Sequence, residues 1–322
     1  MKHIGVFTSG GDSSGMNAAI RAVVRTGLHL GLKVSGIFRG YEGMIHHEIK
    51  ELKTEDVARI LHLGGTILKT ARSDDFKTKE GRKKAFENLE KNGIEGLVAI
   101  GGNGTYTGAQ IFYDEYGIPT IGLPGTIDND LYGTDFTIGF DTAVEVAMDA
   151  IDKIRDTADA HNRVFFVELM GRDAGFITLN AGLATGAESI LLPEIIDDFN
   201  QLIYHFQHKK RTKSYSIILV AEGEKEGNAI SIMEKFKKVF PKYDCRATIL
   251  GHIQRGGRPT ANDRILATRL GAEAVQYLLD GKFNTTLGII NGNIVATSFE
   301  EAIHKRKSID KQLWNLNTML SH

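Results

Sequence analysis

The chain has 322 residues, 42% hydrophobic and 25% charged, with a formal net charge of -1 and sequence pI ≈ 6.8. That is enough for two cores, and it excludes the global basic field of a nucleic-acid binder, so any polyanion site must be local. A single cysteine, Cys245, excludes an intrachain disulfide, and its β-like surroundings make it a buried bystander rather than a nucleophile. No apolar run approaches bilayer length, and MKHIGVFTSGG reaches glycines too early for a signal-peptide core. A cytoplasmic protein without a membrane partner is the expectation.

The first predicted strand, 3–8, ends in 8-TSGGDSSGMNAAIRAVVR-25, a glycine loop running into a helix over 16–30 with Ser14 as its start signal. Gly10, Gly11 and Gly15 let backbone approach a ligand, and the following helix offers free N–H groups to a phosphate. The loop lacks the G-x-x-x-x-G-K-[ST] spacing of a Walker A motif. A strand over 33–38 ends near Arg39, which would suit a nucleotide 2′-phosphate and keeps an NADP-linked oxidoreductase as a second reading. Thr78 opens a helix over 79–92, closed by Gly93. Strand 95–100 then runs into a second glycine loop, 100-IGGNGTYTGAQ-110, whose spacing departs from G-x-G-x-x-G, and Gly117 closes the helix behind it. Either loop alone is equally well read as a tight turn. Two in one sheet suggest a multiply phosphorylated ligand.

Strand 118–123 leads into 124-PGTIDNDLYGTDFTIGFDT-142. Asp128 and Asp130 are two apart, so on extended backbone both side chains leave the same side. Such a pair can divide the work of phosphorylating an alcohol, one removing the hydroxyl proton and the other orienting a metal or a water. A solvated turn or a calcium loop is the plain alternative. Asp141 signals a helix over 142–158, strands follow at 163–169, 215–221 and 245–250, and Asn291-Gly292 reads as the turn of a late antiparallel hairpin. This alternation predicts an α/β fold with mostly parallel sheets and helices on both faces. Open parallel sheets bind ligands beyond the carboxyl ends of their strands.

The set SGGD at 9–12, GMNAAIR at 15–21, GGT at 64–66, AR at 71–72, PGTIDND at 124–130, MGR at 170–172, AEG at 221–223 and GHIQRGG at 251–257 resembles the bacterial ATP-dependent 6-phosphofructokinase family over essentially the whole chain. The resemblance implies two αβα (Rossmann-like) domains, 1–139 plus 252–304 for ATP and 140–251 plus 305–322 for fructose 6-phosphate, with the active site in the cleft between them. It also implies a homotetramer in which one subunit completes its neighbour's sugar site. By the same resemblance Asp128 is the general base, with Thr126 and Asp130 beside it, and Arg172 stabilises charge on the transferring phosphoryl group. Gly11, Tyr41, Arg72, Ser73, Gly102, Asn103, Gly104 and Thr105 match ATP positions. Met170, Gly171, Glu222, His252 and Arg255 match sugar-phosphate contacts, and Arg163 and Arg246 match the pair reaching in from a partner subunit. Arginine forks with a carboxylate and an imidazole are the chemistry a sugar phosphate needs.

Pyrophosphate-using relatives carry aspartate where this chain has Gly104 and lysine where it has Gly125, so ATP is the expected donor. The family usually has GGDGS where this chain has GGNGT; Asn103 therefore replaces a carboxylate expected to hold Mg²⁺, leaving Asn103 and Asp130 as the metal candidates. Ser14 stands where proline is usual. Arg21, Arg25, Arg155, Gly186, Glu188, Arg211 and Lys213 match an intersubunit effector site for ADP and phosphoenolpyruvate, although Thr54 occupies a position often held by arginine there. A non-catalytic ligand sensor is a third reading, motivated by Asn103; the presence of both Asp128 and Arg172 speaks against it.

Overall fold

The computed structural model describes residues 1–208 and 214–320. In chain order its elements are β1 (His3–Thr8), α1 (Met16–His29), β2 (Lys33–Ile37), α2 (Gly40–Ile45), β3 (Ile49–Glu51), α3 (Lys79–Lys91), β4 (Gly96–Gly101), α4 (Asn103–Tyr116), β5 (Thr120–Pro124) and α5 (Phe140–Ala160). There follow β6 (Val164–Leu169), α6 (Phe176–Thr185), β7 (Ser189–Leu191), α7 (Asp198–His208), β8 (Ser216–Ala221), α8 (Ala229–Val239), β9 (Cys245–Ile249), α9 (Ala261–Leu279), β10 (Thr285–Ile290), β11 (Asn293–Ser298), α10 (Phe299–His304) and α11 (Lys311–Leu320). They form two compact units. Unit 1 comprises Met1–Ile127, Leu131–Thr142 and Arg255–Lys307; unit 2 comprises Asp128–Asp130, Ala143–Gln254 and Ser308–His322.

Unit 1 is built on a seven-stranded sheet of order β11-β10-β5-β4-β1-β2-β3. Strands β2, β1, β4, β5 and β10 are parallel, and the antiparallel β3 and β11 close its edges. Alternation along each central strand feeds a core on either face. Ile4, Val6, Val98 and Ile100 pack with Ile20, Val23 and Leu270 of α1 and α9, while Phe7, Leu97 and Ala99 pack with Met44, Leu89 and Phe112 of α2, α3 and α4. A parallel sheet needs this double cover because crossover helices occupy both faces. The expected hairpin is β10–β11, with Asn291 at φ 51 and Gly292 at φ 79, the pair of positive values that a two-residue turn of this hand requires.

Unit 2 has a four-stranded, all-parallel sheet of order β7-β8-β6-β9. Val164, Phe166, Ile218 and Val220 face Leu202 and Phe206 of α7 and Ile232 and Phe236 of α8. Phe236 sits at the middle of an aromatic cluster, edge-on to Phe166 and Phe206; truncating such a buried ring to alanine costs about 3–5 kcal/mol. Cys245 is buried in β9, as expected. Among the described residues no helix is long and apolar enough to cross a membrane.

Helix starts divide into two kinds. Thr78, Asn228, Thr260 and Ser298 each cap a helix with a side-chain oxygen. Helices α1 and α4 instead begin at Gly15 and Gly102 with no side chain on their first amides. The Ser14 expectation is thereby corrected. Gly15 holds φ 116, and the Ser14 hydroxyl turns away to Gly257 O at 2.9 Å. Asp141 lies inside α5 rather than ahead of it, and its carboxylate accepts from the Thr260 hydroxyl at 2.6 Å. The amides of Gly139 and Thr142 are satisfied by Asp263 of α9, at 2.8 Å each.

Candidate functional site

In unit 1 the three chemically loaded junctions stand on three adjacent strand ends. β1 pairs with β4, and β4 with β5, so Gly10–Gly11, Gly101–Gly104 and Pro124–Thr126 lie side by side at the carboxyl edge. The chain proceeds from β1 to β2 on one side and returns to β4 on the other, which makes the β1–β4 gap the switch point where such sheets bind ligands. The junctions are also stitched together. Ser9 N–H donates to Ile100 O at 3.0 Å, Gly125 N–H to Gly101 O at 3.0 Å, and the Thr105 hydroxyl to Ser9 O at 3.3 Å.

Several matched positions support this edge from beneath. Tyr41 is buried, stacks on Phe76 with centroids 4.0 Å apart, and donates its hydroxyl to Thr105 O at 2.6 Å. Burial pushes its phenol far above the ordinary range. The ring therefore braces the start of α4. Ser73 accepts from Phe76 N–H at 3.2 Å, and Arg72 beside it is exposed and makes no ion pair or hydrogen bond among the described residues. Gly11 leaves room for Arg255: a Cβ there would come within 2.5 Å of the guanidinium, which donates to Asp12 O at 3.2 Å. Thr126 takes the Thr137 hydroxyl on its carbonyl at 2.6 Å. Asn103 opens α4 with its amide oxygen Oδ1 buried and without a hydrogen-bond partner among the described residues. A Cβ at Gly104 would meet nothing within 4 Å.

In unit 2, Asp128 is 5% exposed and Asp130 is partly buried. The backbone between them is not extended, because Asn129 holds φ 54. The same-side argument for the aspartate pair therefore does not apply to this turn. Met170, Gly171 and Arg172 follow β6, Glu222 follows β8, and His252 follows β9. All lie at the carboxyl edge of one parallel sheet, with Arg172, Glu222 and His252 exposed. Arg172 holds φ 52, and Glu222 Oε2 accepts from its N–H at 2.9 Å. Arg163 and Arg246 sit at the opposite, amino edge. There they share Asp244, Arg163 Nε on Oδ2 at 2.7 Å and Arg246 Nη1 on Oδ1 at 2.6 Å. The Arg163 hydrogen bond, then the nearby Arg246 charge, holds that carboxyl below its ordinary range.

Of the effector positions, Arg21 and Arg25 lie one turn apart on α1 in unit 1. In unit 2, Arg155 reaches Thr185 O, Gly186 closes α6 at φ 63, and Glu188 accepts from Ile217 N–H at 2.7 Å. Glu188 borders a cavity of about 50 Å³ with Asp198, His205 and Trp314, far short of nucleotide size. Arg211 and Lys213 lie outside the described residues. Arg39, on which the oxidoreductase reading rested, is engaged by both carboxylate oxygens of Glu48. A guanidinium already forked onto a carboxylate is poorly placed to greet a 2′-phosphate.

Sequence reasoning missed Gln254, Asp244 and Asp263, whose partners Met170, Arg163 and Thr142 lie 84, 81 and 121 residues away, although Asp244 beside Arg246 and the Thr260-x-x-Asp263 capping pattern are local signals.

Residues 3–278 match the family model described as Phosphofructokinase. The chain is 55% identical over 322 residues to a Cytophaga hutchinsonii protein named ATP-dependent 6-phosphofructokinase, covering all of this chain and 98% of that one. It is 54% identical to ATP-dependent 6-phosphofructokinase 1 of Thermus thermophilus, each chain covered fully. Among solved structures, phosphofructokinase from Saccharomyces cerevisiae superposes with TM-score 0.90 at 37% identity, covering all of this chain and 48% of that longer one. A pyrophosphate-dependent phosphofructokinase from Marinobacter aquaeolei, at TM-score 0.84 and 23% identity over 97% of this chain and 86% of its own, shares the fold. With the three loaded strand ends and end-to-end identity of this kind, the chain belongs to the phosphofructokinase family.

Proposed function

We propose that the chain is an ATP-dependent 6-phosphofructokinase, an enzyme that transfers the γ-phosphoryl group of ATP to fructose 6-phosphate and yields fructose 1,6-bisphosphate in glycolysis. The observation that carries this reading is the row of three loaded junctions on adjacent strand ends, in a chain 55% identical to a relative of that name. The uncapped start of α4 offers amide donors and a positive dipole end to the nucleotide's phosphates. Gly11, Arg72, Ser73 and Gly102–Thr105 surround it, with Tyr41 as the brace below.

Asp128 takes the proton of the attacking sugar hydroxyl, a step worth about 10²–10⁴ in rate for a positioned base. Arg172 lays its guanidinium against the transferring phosphoryl oxygens, where comparable arginines contribute about 10³ or more. Met170, Gly171, Glu222, His252 and Arg255 hold the sugar phosphate. Arg163 and Arg246 serve a second subunit of a homotetramer, a reading supported by their place at the far edge of the sheet. Arg21, Arg25, Arg155, Gly186 and Glu188 remain the residues proposed for an ADP or phosphoenolpyruvate effector.

Asn103 and Asp130 are the residues that would hold a magnesium ion arriving with the nucleotide, and the chemistry it would supply there is positive charge against the phosphates. The residues fit an ion that arrives with the nucleotide. The observation behind that fit is in unit 1, where Asn103 offers a buried oxygen with no hydrogen-bond partner among the described residues; Asp130 is the carboxylate proposed beside it, and among the described residues no cluster of three or more acidic, histidine or cysteine side chains forms a cage.

The test is a coupled assay with fructose 6-phosphate, offering ATP or pyrophosphate over a magnesium series. Turnover with ATP alone, lost in Asp128→Ser, is expected; turnover with pyrophosphate, or an active Asp128→Ser enzyme, rejects the proposal.

A further inference from the structure

The loop that carries Arg172 is held from two directions by side chains of other elements in unit 2. Met170 N–H donates to Gln254 Oε1 at 2.8 Å. Gly171 N–H and Arg172 N–H donate to Glu222 Oε2 at 3.3 and 2.9 Å. Three successive amides are thus gathered by two acceptors, one after β8 and one in the turn Gly251–Arg255 after β9. The gathered backbone is not one the chain adopts by preference. Arg172 is left-handed at φ 52 and Gly171 lies at φ 150, where a Cβ would run into Ala174 O. Left-handed backbone costs a non-glycine residue roughly 1–2 kcal/mol, so it persists only where neighbours hold it.

Gln254 is the inward half of this cradle. It is 1% exposed, and its Nε2 is buried without a hydrogen-bond partner among the described residues. A buried amide donor left unsatisfied costs about 1–3 kcal/mol, so packing alone would favour leucine or methionine at this position. The other half of the amide justifies the cost, because Oε1 seats the first residue of the arginine loop. We propose that Gln254 is a positioning residue for phosphoryl transfer, fixing the Met170–Arg172 backbone and through it the Arg172 guanidinium. The inference rests on the role given above to Arg172.

The experiment compares Gln254→Met, which removes the acceptor at similar size, with Gln254→Glu, which keeps an acceptor oxygen, each alone and with Arg172→Ala. Steady-state kinetics and thermal melting are measured on the purified full-length protein. Gln254→Met is expected to lower kcat roughly ten- to hundredfold, the scale of a small misplacement of a catalytic group, with KM for ATP within about twofold. Gln254→Glu should stay within about threefold of the parent. In the Arg172→Ala background, Gln254→Met should add less than about twofold, since residues acting as one unit are non-additive. An unchanged kcat in Gln254→Met overturns the proposal, as does a full multiplicative loss on top of Arg172→Ala. If Arg172→Ala alone keeps full kcat, the role of Arg172 fails first and the positioning claim falls with it. Should Gln254→Met and Gln254→Ala both fail to fold while Gln254→Glu folds, Gln254 is a stability residue and the proposal is likewise overturned.

Discussion

Replacing Gly104 by aspartate should damage the use of ATP while leaving the fold alone. Gly104 is the second residue of α4, does not hold positive φ, and has open space where a Cβ would stand. Stability should therefore move by no more than about 0.5 kcal/mol, and an acidic group in a helix's first turn is even mildly favourable. The cost falls on the nucleotide. One added negative charge about 4 Å from a phosphate oxygen opposes it by roughly 1 kcal/mol in a water-like medium and roughly 4 kcal/mol at the effective dielectric of a protein surface. That range corresponds to about a fivefold to thousandfold rise in KM for ATP. Gly125→Lys is the contrasting change. A Cβ at Gly125 would come within 2.9 Å of both Ile100 Cγ2 and Met16 Cε, so this variant should lose about 1–3 kcal/mol as the core gives way. Coupled assays titrating ATP at fixed magnesium, paired with thermal melts, separate the two effects. A folded Gly104→Asp enzyme with an unchanged KM for ATP would refute the placement of phosphates at the start of α4. A large loss of stability in that variant would refute the open space.

Asn103→Asp should lower the magnesium concentration giving half-maximal rate, because it adds a carboxylate where a neutral oxygen now stands; an unmoved magnesium curve counts against a metal-side role. The fructose 6-phosphate saturation curve should shift on adding ADP or phosphoenolpyruvate, and indifference to both would reject the effector reading. Asp198 gives a pH prediction. Burial first, and then the nearby Glu224 and Glu226 charges, push its carboxyl from 3.8 up to about 7, against the opposing amides of Leu192 and Phe199. The folded state then holds a proton that the unfolded chain releases, so this group's contribution to stability declines as pH rises from about 4 to about 7 and is flat above. Asp198→Asn keeps an acceptor for Leu192 N–H. It should be more stable to unfolding than the parent at pH 8, by at most roughly 4 kcal/mol in denaturant titrations, with the gap closing towards pH 4. A gap independent of pH would show that the carboxyl is not the source.

How far the sequence discloses this molecule depends on the range of the interaction involved. Thr78 and the Asn291-Gly292 turn are legible because cap and turn chemistry acts within four residues. The two glycine loops are legible for the same reason. β3 and β7 are not, since three residues carry no alternation to read. Ser14 and Asp141 mislead because each local cap is outbid from far along the chain, by Gly257 for the Ser14 hydroxyl and by Thr260 for the Asp141 carboxylate. The aspartate pair misleads because one left-handed residue, Asn129, breaks the extended backbone that the same-side rule assumes. Gln254 is silent in sequence. An amide between Ile253 and Arg255 reveals its partner only when Met170 arrives from 84 residues away.

The two ends of unit 2's sheet bear on the proposed assembly, given the sugar-site roles that the family likeness assigns to Arg163 and Arg246. Met170–Arg172, Glu222 and His252 lie beyond the carboxyl ends of parallel strands, whereas Arg163 precedes β6 and Arg246 is the second residue of β9. Six residues of β6 at about 3.3 Å each separate those edges by roughly 20 Å, longer than a hexose phosphate. If all of these side chains contact one sugar phosphate, as the proposed function requires, one copy of the chain cannot bring them together, and a second copy must supply the arginines. Asp244 is consistent with that division of labour. Holding both guanidiniums on one carboxylate leaves a net positive charge at an exposed edge, already oriented and still short of the second negative charge that a phosphate dianion would bring.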